Sequence, residues 1–148
     1  MTVTPEVRPF RTADRASCIE LFDANCPDYF APNERDEYLR FLERAEDSYE
    51  VCLLDGRIVG AFGLQGDGRQ GLGLRWILVS PAAQGLGLGS AIMARVLATV
   101  RRHGPEALHI AASHKSAPFF ARFGAREIGT TLDGWGPGMH RVDMRLDP

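Results

Sequence analysis

The stretch Gln84-Gly85-Leu86-Gly87-Leu88-Gly89-Ser90 has the residue types and spacing best suited to chemistry. Its glycines alternate at the opening of a long helical pattern. A glycine-rich turn entering a helix aims several backbone N–H groups one way, and the helix dipole adds partial positive charge. A phosphate group fits such a place. A Cβ would hold the phosphate away from the backbone, so glycine suits it. Ser90 adds a hydroxyl donor. As a mere helix start the stretch is over-equipped, because one cap residue suffices and glycines cost backbone entropy.

Two common nucleotide motifs fail here. A dinucleotide fingerprint needs G-x-G-x-x-G. Counted from Gly85 its third position is Ser90, and counted from Gly87 it is Ile92. No acidic residue follows at the distance a ribose requires. A P-loop ends in Gly-Lys-Ser/Thr, and this stretch has no lysine.

The surrounding periodicities show which elements position the stretch. VRPFR (7–11) reads as a short strand. Thr12 offers an N-cap, with Asp14 in the first turn of a helix reaching about Asn25. A loop, CPDYFAPN, precedes a second helix near Glu34 to Ala45, with Tyr38, Leu39, Phe41 and Leu42 inward. Strands follow at 49–54 and 57–65, joined by the hairpin signal Asp55-Gly56. Gly66, Asp67 and Gly68 make another turn, and the nearly all-apolar strand 72–79 is expected to be central. The three should form an antiparallel meander. The helix after the glycines carries a stripe of Ile92, Met93, Val96, Leu97 and Val100, and Gly104 stops it. Then come a strand at 107–113, a short helix at 116–124, a strand near 126–131, a loop at 133–138 and a strand at 139–146. The order β-α-α-β-β-β-α-β-α-β-β indicates one α/β domain with a mixed sheet.

V-S-P-A-A-Q-G-L-G-L-G-S (79–90) resembles the V-x-P-x-x-[RQ]-x-x-G-x-[GA] motif of the GNAT N-acetyltransferases, with Gln84, Gly87 and Gly89 at the defining positions. Strand 107–113 followed by SAPFFARFGA resembles the family's second motif, and the element order is the family's order. The resemblance implies a single GNAT-like domain over 1–148, of α/β (α+β) class. It would have a mixed, mostly antiparallel sheet of about seven strands flanked by about four helices. It implies acetyl-CoA as cosubstrate. Gln84, Gly85, Leu86, Gly87, Leu88, Gly89 and Ser90 would wrap its pyrophosphate, and Ile77, Leu78 and Val79 would pair with the pantetheine arm. Ser113 and Phe120 would complete the cofactor site, and the Val79 amide would face the thioester oxygen.

The chain departs from the family at four places. Phe120 stands where a tyrosine usually protonates the leaving thiolate. Ser113 replaces the usual asparagine and Ser116 the usual alanine. The fourth strand, LGLRWILV, lacks the glutamate that often deprotonates the amine. A thiol has a pKa of about 8.5, so general acid help is a modest need. An alkylammonium has a pKa of roughly 10, so a base or water chain helps more. Candidate bases are His114, His140, Asp143 and Glu34. His114 reads equally as a surface loop histidine, His140 as a semi-buried one, and mid-strand His109 as structural.

By the same resemblance, the loop between the first two helices and the loop before the last strand build the acceptor site. Their aromatics Tyr29, Phe30 and Trp135 could line a pocket for a small-molecule amine, or anchor the loops to the core. Asp28, Glu34 and Asp133 could attract a cation or be solvated loop charges. One of Arg75 and Trp76 should point to the substrate side.

Bulk properties bound the rest. The 148 residues fit one core, and a net charge of −2 is no nucleic-acid footprint. No apolar run approaches the ~20 residues of a membrane span, and MTVTPEVRPF has no signal-like apolar region. A cytoplasmic protein is expected, with Cys18, Cys26 and Cys52 as reduced thiols. No Cys/His cluster has zinc-ligand spacing, so no metal is expected. A homodimer is compatible with the family, although no segment specifies an interface. Two other readings stay open: a non-catalytic acyl-CoA-binding regulatory or interaction module, and a transferase using a different acyl-CoA.

Overall fold

The computed structural model describes residues 4–45, 48–66, 71–104 and 106–148. The chain runs β1 (Glu6–Pro9), α1 (Arg15–Asn25), α2 (Glu34–Leu42), β2 (Tyr49–Leu54), β3 (Arg57–Gln65), β4 (Gly73–Val79) and α3 (Leu88–His103). It ends with β5 (Leu108–Ser113), α4 (Ala117–Ala121), β6 (Arg126–Gly136) and β7 (Met139–Leu146). The strands form one sheet in the order β1-β2-β3-β4-β5-β7-β6. Neighbours are antiparallel except β4 and β5. Those two are parallel because α3 carries the chain back between them. The apolar strand β4 is the middle strand, as its composition requires.

Each sheet face builds its own core. On one face Ile92, Met93, Val96 and Val100 of α3 and Phe120 of α4 pack on Phe62, Leu74, Ile110, Val142 and Met144. On the other face Phe22 of α1 and Tyr38 of α2 pack on Tyr49, Val51, Ala61 and Leu78. No described residue of β5, β6 or β7 joins this second core. The half-sheet β5-β7-β6 therefore has one face uncovered beside α1 and α2, where His109, Ala111 and Arg145 are exposed.

Three local expectations need correction. Thr12 does not cap α1; it opens a 3-10 turn, Thr12–Asp14. Asp14, at the N-cap position of α1, makes no side-chain bond to that helix; its buried carboxylate closes the turn instead, accepting the Arg11 N–H at 2.9 Å and pairing with Arg8 of β1 at 2.7 Å. Helix α2 stops at Leu42, short of Ala45, where the chain turns through the Arg44 N–H to Phe41 carbonyl bond. The segment expected as a loop at 133–138 is mostly strand. It continues β6 to Gly136 through a register shift between Thr131 and Gly136, an interval in which Asp133 has φ +53°. Asp67 and Gly68 of the expected turn after β3 lie outside the described residues.

The feature that opens the sheet is a bulge in β4. Ala61 faces Leu78, yet Gly63 faces Arg75, so β4 carries one residue more than β3 across this interval. Trp76 sits within it at φ +47°. Its carbonyl accepts the Tyr49 hydroxyl at 2.6 Å, and Tyr49 also bonds the Tyr38 hydroxyl at 3.0 Å. Tyr49→Phe removes the donor to the Trp76 carbonyl and one of the two partners of the buried Tyr38 hydroxyl, which keeps Cys18. We expect it to lower stability by about 2 kcal/mol in urea unfolding, with the circular dichroism of the fold retained. An unchanged midpoint would mean that the bulge stands without this bond.

Candidate active site

Strands β4 and β5 pair only at Gly73–His109 and Leu74–Ile110, and beyond the bulge they diverge. The Ser80 N–H donates to the Val59 carbonyl at 2.8 Å. Antiparallel bonding alternates, so Leu78 bonds Ala61, and Val79, opposite Gly60, turns its N–H and C=O away from β3. Those groups point into the gap left by β5. The carbonyl accepts Asn25 Nδ2 at 3.1 Å, and the same amide donates to the Leu21 carbonyl at 2.8 Å. Ile77 and Val79 line the resulting cavity, whereas Leu78 is buried in the second core. The cavity holds about 1360 Å³, room for two reactants.

The glycine-rich stretch forms one wall. Gly85 has φ +85° and Gly87 φ +80°, conformations that a side chain strains. Gly87 is the N-cap of α3, and no side chain caps that terminus. The first-turn N–H groups are thus left for a ligand. Gly89 is glycine for a packing reason: a Cβ there would lie 2.9 Å from the Phe119 ring. Gln84, Gly85, Gly87, Leu88, Gly89 and Ser90 line the cavity, and Leu86 faces solvent. Ser113 lines it too, but its hydroxyl is engaged. The Ser113 N–H donates to Ser116 Oγ at 3.0 Å, and the Ser116 N–H donates back to Ser113 Oγ at 3.1 Å. Phe120 presents part of its buried ring, edge-on to Phe119. Lys115 and Arg122 add positive charge to the lining. The sequence reading missed both, because each is an ordinary surface cation until α4 folds beside the glycines. Uncapped N–H groups, two αL glycines and two cations together fit the pyrophosphate of a coenzyme A thioester.

The opposite wall comes from the α1–α2 loop and the β6–β7 hairpin. Asn33 Nδ2 donates to the Trp135 carbonyl at 2.7 Å and ties them together. Tyr29, Phe30 and Trp135 all line the cavity. Phe30 also stacks on Trp76 at 6.0 Å, so it both anchors its loop and faces the site. Trp135 donates its indole N–H to the Ala112 carbonyl at 2.8 Å and lies 5.0 Å beneath the Arg141 guanidinium. Arg75 and Trp76 both reach the cavity, because the bulge rotates consecutive side chains onto its wall.

Of the four candidate bases, Glu34 and Asp143 line the cavity and the two histidines do not. His114 Nδ1 accepts the His140 N–H at 3.1 Å, and His140 Nδ1 accepts the Asp133 N–H at 3.0 Å. Each neutral ring then carries its proton on Nε2 and has no lone pair to spare. Both Nδ1 atoms are thus engaged with backbone N–H groups, and neither ring lines the cavity. Asp143 is paired with Arg141 at 2.9 Å. Glu34 is only 3% exposed, and its carboxylate accepts the Ala31 N–H at 2.7 Å. Burial pushes its pKa up to about 7 against the pull of that N–H, with a smaller push from Glu37. Among the described residues no group of three or more His, Cys, Asp or Glu is placed to hold a metal ion. No described helix is long and apolar enough to cross a membrane.

The sequence profile of the Acetyltransferase (GNAT) family matches residues 18–125. The chain belongs to that family. Solved structures share its fold from end to end. The GCN5-related N-acetyltransferase from Rhodopseudomonas palustris superposes with a TM-score of 0.79 at 21% identity, covering 100% of this chain and 98% of that one. Rv2747 from Mycobacterium tuberculosis, in complex with CoA, gives 0.74 at 22% identity, covering 97% and 99%. The yncA protein from Salmonella typhimurium, with its cofactor acetyl-CoA, gives 0.72 at 19% identity, covering 98% and 94%. No curated protein matches the chain significantly.

Proposed function

We propose that this protein transfers an acetyl group from acetyl-CoA to a primary amine of a small molecule, by direct attack of the amine on the thioester. One observation carries the reading. The gap beside the Val79 N–H and the uncapped, glycine-built start of α3 open into a single cavity. The amides of 84–90, helped by Lys115 and Arg122, hold the pyrophosphate. Ile77 and Val79 flank the pantetheine arm, with Ser113 and Phe120 across from them. The amine enters between Tyr29, Phe30 and Trp135.

Glu34 takes the proton that the amine must lose. A carboxyl near 7 is half ionised at neutral pH, which suits a base. The amine nitrogen then bonds to the thioester carbon. The Val79 N–H donates to the oxyanion, the C–S bond breaks, coenzyme A leaves as thiolate, and the new amide nitrogen gives its second proton to solvent or to that thiolate. Phe120 has no proton to give, and a thiolate of pKa about 8.5 leaves without one.

Calorimetric titration with acetyl-CoA, followed by thiol release with a panel of primary amines, tests the proposal. Saturable binding and amine-dependent release are expected. Absence of binding would end the reading. Binding with no turnover on any amine would favour a non-catalytic acyl-CoA module. Stronger binding of longer acyl-CoA esters would point to a different donor.

A further inference from the structure

The acceptor side of the cavity has a charge pattern that acetyl transfer itself does not require. Helix α2 lies along it, with Glu34 and Glu37 in the first turn and Arg40 in the last. Arg44, just past the helix, and Arg75 of β4 line the same region. Among the described residues, Arg40, Arg44 and Arg75 have no carboxylate within ion-pair distance. Arg8, Arg35, Arg95, Arg126, Arg141 and Arg145 each have one, whereas Arg11, Arg15, Arg57, Arg101, Arg102 and Arg122 also lack one; of these only Arg122 lines the cavity, on the glycine-rich side, so what sets Arg40, Arg44 and Arg75 apart is their shared place on the acceptor wall.

Three further observations locate this group of cations. Tyr49, Gly63 and Arg75 lie on one rung across β2, β3 and β4. Phe41 packs on Tyr49 with ring centroids 5.0 Å apart, so the arginine-bearing end of α2 lies over that rung. The Arg75 side chain runs back over Gly73, its Nε 3.9 Å from where a Cβ on that glycine would stand. Arg75 and Val79 lie opposite Gly63 and Gly60, three residues apart on β3, or about 10 Å at strand rise. The guanidinium therefore points away from the reacting centre. Guanidinium groups with no ion-pair partner among the described residues, set along one wall, attract an anion, and their planar forks suit carboxylate or phosphate.

We infer that the acceptor carries an anionic group, carboxylate or phosphate, at the end remote from its amine, held by Arg75 with Arg40 and Arg44. The inference rests on the amine-acceptor reading above and names the class of amine. Glu34 serves the cationic end and the arginines the anionic end.

The test is a series of ω-aminocarboxylates of increasing chain length. Each is compared with the ω-amino alcohol of equal length and with the ω-aminoalkyl phosphate. We expect kcat/KM for an acid of suitable length to exceed that of its alcohol by roughly tenfold or more. Comparison of acid with phosphate identifies which anion is preferred. In Arg75→Gln, and in Arg40→Gln/Arg44→Gln, the acid-to-alcohol ratio should fall toward one, with folding checked by circular dichroism. Equal rates for acid and alcohol at every length would overturn the inference, as would a ratio unchanged in both variants. If no amine turns over, the transfer reading falls and binding decides this one. Calorimetry in the presence of coenzyme A would then compare the N-acetylated acid with the N-acetylated alcohol. Tighter binding of the acid, lost in Arg75→Gln, upholds the inference; equal or no binding overturns it.

Discussion

Gly87→Asp should lose acetyl-CoA affinity by roughly 100-fold or more while the protein stays folded. Two effects act in the same direction. The new Cβ occupies space where backbone N–H groups must approach the pyrophosphate. The carboxylate also places negative charge against phosphate at the helix terminus that is otherwise positive. Gly87 has φ +80°, a region aspartate tolerates better than most side chains, so the fold should survive. Calorimetry with acetyl-CoA, next to circular dichroism of the same sample, reads both. Tight binding to a folded Gly87→Asp protein would show that the pyrophosphate lies elsewhere.

Glu34→Gln should leave acetyl-CoA binding intact and lower acetyl transfer by roughly 100-fold. The pH profile carries the argument further. In the wild type, kcat/KM should rise as pH passes through about 7, where Glu34 ionises. The glutamine variant should lack that limb. Stability should move the opposite way. The folded carboxyl holds its proton up to about 7, whereas an unfolded glutamate releases it near 4.3. The contribution of protonated Glu34 is fully present below the unfolded value and is lost as pH rises through the folded one. At pH 8 the variant should therefore be more stable than the wild type, by about 3–4 kcal/mol, and at pH 4 about equal. Urea midpoints at the two pH values measure this. A rate limb near 7 that survives the substitution would remove Glu34 as the base.

How much of this was legible in the sequence depends on how local each feature is. Strands 49–54 and 57–65 and the stripe of α3 follow from residue periods alone, and the structure has them at those bounds. The glycine-rich wall is contiguous in sequence, so a phosphate-binding reading is possible from seven neighbouring residues. Features set by distant partners are hidden. The turn-closing role of Asp14 depends on Arg8 of β1. The extension of β6 to Gly136 overrides a turn-rich segment because β7 pairs with it. The bulge at Trp76 has no glycine or proline to announce it; its carbonyl is held by Tyr49 from β2. Glu34, Arg75, Lys115 and Arg122 are spread along the chain and meet only through the strand order.

The aromatic walls give the protein a built-in optical gauge. It contains two tryptophans, Trp76 and Trp135, and both line the cavity. They are held by different elements, one in the bulge of β4 and one near the end of β6. All tryptophan emission from the molecule thus originates from the walls of that cavity. Unlabelled protein can report the arrival of either reactant, and replacing one indole at a time assigns the signal to one wall or the other.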